Sequence, residues 1–135
     1  MSVKKTISVV AAFAFVLTAQ SVMSGYNPLE EVVGTASYYC KSFDGNTTAS
    51  GEIYSNEELT AASNVFKLNT WVKVTNLNNL KSVVVKINDR MHPRMLKKGR
   101  VIDLSHSAAR EIAMLEKGII KVRVQVLPTD EHHED

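Results

Sequence analysis

One cysteine, Cys40, is too few for a disulfide within the chain. That excludes the small exported scaffold held together by cross-links, so stability must come from an ordinary core. A lone thiol and scattered histidines also lack metal-ligand spacing, and neither a metal nor another cofactor is expected. No apolar run reaches the roughly 20 residues that a membrane-spanning helix needs. A strong charge of one sign is missing too. The formal +2 includes Lys4 and Lys5, and without them basic and acidic side chains balance. Lysine and arginine predominate from Lys67 to Arg123, but too diffusely for a nucleic-acid surface, and no nucleic-acid partner is expected. No added repeat region is present.

What is present begins with a basic start, an apolar run and small residues around Ala19 to Ser24. That is the pattern of a cleaved export signal, expected over 1–24. No cysteine follows the run, so nothing points to a lipid anchor, and no stable membrane insertion is expected after cleavage. Residues 25–31 read as a lead-in containing Pro28, 32–128 as one domain, and the acidic 129–135 as a disordered tail. The mature chain of about 110 residues can bury one modest core.

Within that domain the β-branched run Ser82 to Ile87 crowds a helix but fits a pleated sheet. Val83, Val85 and Ile87 share one face, with Val84 and Lys86 on the other. The strand ends on Asn88, Asp89 and Arg90. A carboxylate at the rim of a rigid strand is well placed for chemistry, although Asn-Asp is also an ordinary turn pair. Trp71 to Leu77 alternates as well, and Asn78-Asn79 turns it back into the Ser82 strand as a hairpin. Further strands are predicted over 32–39, 60–62, 100–104 and 119–127. Gly34 marks a bulge or a close approach. Ser55 caps a short helical turn, and Ser105 caps a helix over 106–115 that Gly118 ends. The stretch 41–52 is a polar surface loop, and 91–99 is a loop. Five or six strands and one helix make a closed antiparallel or mixed barrel, with two-layer α+β as the competing architecture.

Several segments, taken in order, resemble the RlpA (rare lipoprotein A)-like family of peptidoglycan lytic transglycosylases. They are Gly34-Thr-Ala-Ser-Tyr-Tyr39, Phe43-Asp-Gly45, Thr48-Ala-Ser-Gly-Glu-Ile-Tyr54, Leu59-Thr-Ala-Ala62, Val72-Lys-Val-Thr-Asn-Leu77, Ser82 through Asn88-Asp89-Arg90, and Gly99-Arg-Val-Ile-Asp-Leu-Ser105. The resemblance implies a mainly β fold, a six-stranded double-psi β-barrel with one packed α-helix. It implies cleavage of the MurNAc–GlcNAc β-1,4 bond in peptide-stripped glycan, with the MurNAc C6 hydroxyl closing on C1. It also implies residues: Asp89 as general acid/base and Glu52 as its electrostatic partner or a substrate anchor. Asn88, Arg90, Tyr54, Ser55 and Ser63 would bind substrate, and Asp103 and Ser105 would be structural. Peptidoglycan is the implied partner, a monomer the expected state, and the periplasm, secreted space or cell envelope the expected location.

The chain departs from the family pattern at four places, one of them the turn Phe66-Lys67-Leu68-Asn69-Thr70, which replaces the family's Leu-Pro-Phe/Leu-Gly-Thr. Ser55 and Ser63 stand where the family has Asp and His, and Met91-His92 replaces the glycine of Asn-Asp-Arg-Gly-Pro. Serine hydrogen-bonds but carries no charge. His92 could stand in for the missing imidazole. A barrel that binds cell-wall glycan without cutting it, as expansin-type domains do, is the alternative; an envelope protein that keeps only the fold is a third.

Overall fold

The computed structural model describes residues 30–128. The export signal, most of the lead-in and the acidic tail expected from the sequence lie outside them. Six strands close into one barrel: β1 (Glu31–Tyr38), β2 (Thr60–Ala62), β3 (Trp71–Asn76), β4 (Ser82–Asp89), β5 (Arg100–Leu104) and β6 (Ile120–Val126). Around the wall they run β1-β5-β2-β4-β3-β6. The β1–β5 and β2–β4 pairs are parallel and the remaining pairs antiparallel. This is the barrel that the resemblance implies, not the two-layer alternative. Among the described residues no helix is long and apolar enough to cross a membrane.

Alternation fills the interior. Val83, Val85 and Ile87 of β4, Val72 and Val74 of β3, and Val122 and Val124 of β6 belong to one buried cluster. Val84 is exposed on the opposite face. The β3–β4 hairpin forms as expected, with Val72 opposite Val85 and Val74 opposite Val83. Its turn docks onto the rest of the fold: the Asn76 and Asn79 side-chain amides both donate to the Ile112 carbonyl, at 2.9 and 3.1 Å.

Two helices complete the domain, α1 (Arg94–Lys97) and α2 (His106–Glu111). The first lies in a segment expected to be loop. The second stops four residues before the expected end, because Ile112 leaves the helix and Ala113 turns to φ +55°. That early exit turns Ile112 and Met114 fully into the core. Ser105 caps α2 as expected, its Oγ accepting from Ala108 N at 3.2 Å. The same hydroxyl donates to the Glu58 carbonyl at 2.6 Å, so it ties α2 to the segment before β2. Cys40 is exposed, and the Ser42 hydroxyl donates to its sulfur at 3.3 Å, lowering the thiol pKa.

Both parallel pairs carry a register shift. Between β1 and β5, Thr35 faces Arg100 but Ala36 faces Ile102, so Val101 is the extra residue. Gly34 sits against this irregularity, where an added Cβ would lie 2.6 Å from Val101 Cγ1 and 3.0 Å from the Gly99 carbonyl oxygen. Between β2 and β4, Ala61 faces Ile87 but Ala62 faces Asp89, so Asn88 is skipped. A bulge of this kind re-aims the side chains that follow it.

Candidate active site

The two bulges assemble the site. Ile87 points into the core, and strict alternation would send Asp89 inward after it. The extra residue at Asn88 reverses that parity. Asp89 then opposes Ala62, and Ala62 in turn opposes Asp103, which opposes Ser37. Ser37, Asp103, Ala62 and Asp89 therefore form one row across β1, β5, β2 and β4. Two strand spacings separate the aspartates, about 10 Å between α-carbons. Ala62, a methyl group, is all that stands between them in the row. The other bulge buries both Val101 and Ile102, which leaves Arg100 and Asp103 together on the outer face.

That face opens on a cavity of about 310 Å³, lined by Ser37, Asp103, Asp89, Arg90 and Arg100 from the wall and its strand ends. The 39–54 segment roofs it with Tyr39, Phe43, Thr48 and Tyr54, and the 91–95 segment adds Met91, His92 and Met95. Tyr39 and Tyr54 stack with centroids 4.2 Å apart, and Phe43 meets Tyr39 edge-on at 5.8 Å. Burial and its hydrogen bond to Asp89 push the Tyr39 phenol far above its ordinary pKa, so it remains a donor. Tyr54 is buried, takes the His106 N–H on its hydroxyl at 3.1 Å and donates to Asn56 Oδ1 at 2.9 Å.

Three donors fix the Asp89 carboxylate. Its Oδ2 accepts from the Tyr39 hydroxyl at 2.5 Å, and its Oδ1 accepts from Ala49 N at 2.9 Å and Arg90 N at 2.8 Å. Asp103 has a different environment. Burial raises its pKa to about 6 against the opposing pull of the Ser37 hydroxyl, 3.1 Å from Oδ1, and of the Arg100 charge; the Asp89 charge adds to the rise. The cavity thus holds one carboxyl fitted with donors and a second that carries its proton up to near-neutral pH.

The other residues expected at the site are spread out. Glu52 is not among the cavity-lining residues; it pairs with Lys86 at 3.1 Å and accepts from the Ser50 hydroxyl at 3.3 Å. The residues beside it nonetheless reach the site, because Ser50 N donates to the Asn88 carbonyl and Ala49 N to Asp89. Asn88 is buried at the bulge. Arg90 lines the cavity, but its Nη1 is clamped by the carbonyls of Ser63 and Phe66 at 2.5 and 2.6 Å. Ser63 is fully buried and donates to the Val101 carbonyl at 2.8 Å. Ser55 accepts from Glu57 N at 3.2 Å in a turn that is not helical, outside the cavity lining. His92 does line the cavity, with Nδ1 accepting from Arg94 N at 3.1 Å. Asp103, expected to serve the barrel or the helix cap, faces the cavity instead; Ser105 alone makes the cap contact. Tyr39, Ser37 and Arg100 were not expected at the site, although all three lie in the segments that carry the family resemblance.

Known proteins resemble this chain in sequence and in fold. Residues 31–124 match the family model described as lytic transglycolase. The chain is 48% identical over 97 residues to the endolytic peptidoglycan transglycosylase RlpA of Pasteurella multocida, covering 72% of this chain and 32% of that protein. Against the protein of the same name from Haemophilus influenzae it is 46% identical over 94 residues, covering 70% and 32%. The chain thus spans about a third of the length of these curated relatives. Among solved structures it resembles the Streptomyces papain inhibitor (TM-score 0.58, 18% identity, 73% of this chain and 94% of that one). It also resembles an expansin of Clavibacter michiganensis (TM-score 0.56, 22% identity, 73% and 51%). At such identities these two speak for the fold alone. By the reach of the family match and the identity to its relatives, the chain belongs to the RlpA-like lytic transglycolase family of double-psi β-barrels.

Proposed function

We propose that the protein is an endolytic peptidoglycan lytic transglycosylase of the cell envelope, acting as a monomer on peptide-stripped glycan in the periplasm or outside the cell. The observation that carries this reading is the row in which Asp103 and Asp89 flank Ala62 within one cavity. An intramolecular nucleophile removes the need for a positioned water, but a proton must still be given and another taken. Asp103, protonated up to about pH 6, gives its proton to the glycosidic oxygen as the C1–O bond to GlcNAc breaks. The MurNAc C6 oxygen bonds to C1, and its hydroxyl proton passes to Asp89. Solvent exchange then resets both carboxyls. Tyr39 and Ala49 N hold Asp89 in place throughout. The stacked pair Tyr39–Tyr54 is buried, and the stack steadies the Tyr39 hydroxyl on Asp89.

Glu52 acts on this site from outside the cavity. Its ion pair with Lys86 of β4 anchors the loop that brings Ala49 N to Asp89. In the same way Ser63 and Arg90 brace the strand ends, Tyr54 backs Tyr39 in the roof, and Asn88 forms the bulge that sets Asp89. The test is digestion of peptide-free peptidoglycan with mass spectrometry of the products. The expected product carries 1,6-anhydroMurNAc ends and is absent with Asp89→Asn or Asp103→Asn. Ends that have gained water would mean hydrolysis, and binding without any product would favour a glycan-binding barrel.

A further inference from the structure

The cavity contains two arginines; Arg90 is fixed between two backbone carbonyls, while the other, Arg100, acts on Asp103 only through its charge. Arg100 has its Nη1 3.9 Å from the Met95 sulfur, a weak acceptor, and forms no ion pair among the described residues. The β1–β5 bulge sets it on the outer face, three residues along β5 from Asp103 and within the same cavity. Its planar guanidinium is suited to a carboxylate, which two parallel N–H donors can grip.

The proposed substrate presents one such group. A MurNAc without its stem peptide has a free lactyl carboxylate; with the peptide attached, that carboxyl is an amide. We propose that Arg100 binds the lactyl carboxylate of peptide-free MurNAc and is the residue by which the site prefers stripped strands. This rests on reading the cavity as a glycan site.

The test measures binding in an Asp89→Asn background, so that no ligand is consumed. Isothermal titration compares peptide-free glycan oligosaccharides with the same oligosaccharides whose lactyl carboxylates have been converted to primary amides. The carboxylate form should bind about tenfold tighter or more, as a charge-assisted bidentate contact provides. Arg100→Gln should remove the preference, bringing affinity for the carboxylate form down to that for the amide form. Arg100→Lys should keep part of it, and Lys97→Gln, a change in the neighbouring charge on α1, should keep all of it. Equal affinity for the two forms, binding of neither, or a preference that survives Arg100→Gln overturns the proposal. Cleavage by the chain with Asp89 intact is scored separately. An Arg100-dependent preference without cleavage sustains this assignment and removes the lyase reading; cleavage with no preference does the reverse.

Discussion

Replacing Asp103 with Asn should stabilise the protein while it disables the chemistry. In the folded chain burial lifts the Asp103 pKa from 3.8 to about 6. Each pKa unit corresponds to about 1.4 kcal/mol, so holding this carboxylate ionised at pH 7 costs roughly 3 kcal/mol. Asn has nearly the same shape, its Oδ1 can still accept from the Ser37 hydroxyl, and it carries no charge. With its new amide group facing the cavity, a net gain of about 2 kcal/mol is expected, which for a domain of this size raises Tm by of order 10 °C. The pH dependence identifies the cause. Between pH 4 and 6 the folded chain binds more protons here than the unfolded chain, so the wild type loses this contribution as pH rises through about 6. The advantage of Asp103→Asn should be near zero at pH 4 and complete by pH 7. Thermal or urea unfolding of both proteins across that range measures it. A variant no more stable than wild type at pH 7, or one whose advantage does not change with pH, refutes the reasoning. Loss of the proton donor should also lower the rate of anhydro product formation by about 100-fold or more.

Three other substitutions separate the parts of the design. Tyr39→Phe keeps the stack on Tyr54 but removes the donor to Asp89 Oδ2; product formation should fall about 10- to 100-fold with little change in Tm. Gly34→Ala forces a methyl against Val101 and the Gly99 carbonyl, and should cost about 2 kcal/mol, read as a lower urea midpoint. Ser105→Ala removes the α2 cap and the tie to Glu58, with an expected loss of about 1–2 kcal/mol by the same measurement.

The interior of the barrel was legible in the sequence because alternation is a local signal. Val83, Val85 and Ile87 announce their shared face without reference to any other strand, and Asn78-Asn79 announces the hairpin. The outer face was not legible in this way. A bulge depends on two strands distant in the chain, and counting by twos along β4 alone sends Asp89 into the core. The same blindness applied to β5, where Val101 and Ile102 are buried consecutively and Arg100 and Asp103 emerge together. Asp89 was singled out by its motif and its place at the strand end. The resemblance gave Asp103 a structural role; its place on the cavity face depends on the β1–β5 register, which the sequence of β5 alone does not show. For Glu52 the motif pointed to the site, while Lys86, the partner that pairs with it outside the cavity lining, lies on β4, 34 residues further along the chain.

Ala62 has a consequence for how such a site can change over time. The gap between the two acids is a count of strands, and a closed barrel has no free edge along which a strand can slide. Loops 40–56 and 91–99 can lengthen, shorten or exchange residues, as Met91-His92 does here, without altering that gap. The spacing of the two acids and the placement of Arg100 on β5 are therefore locked into the wall together, while the loops around them are free to drift.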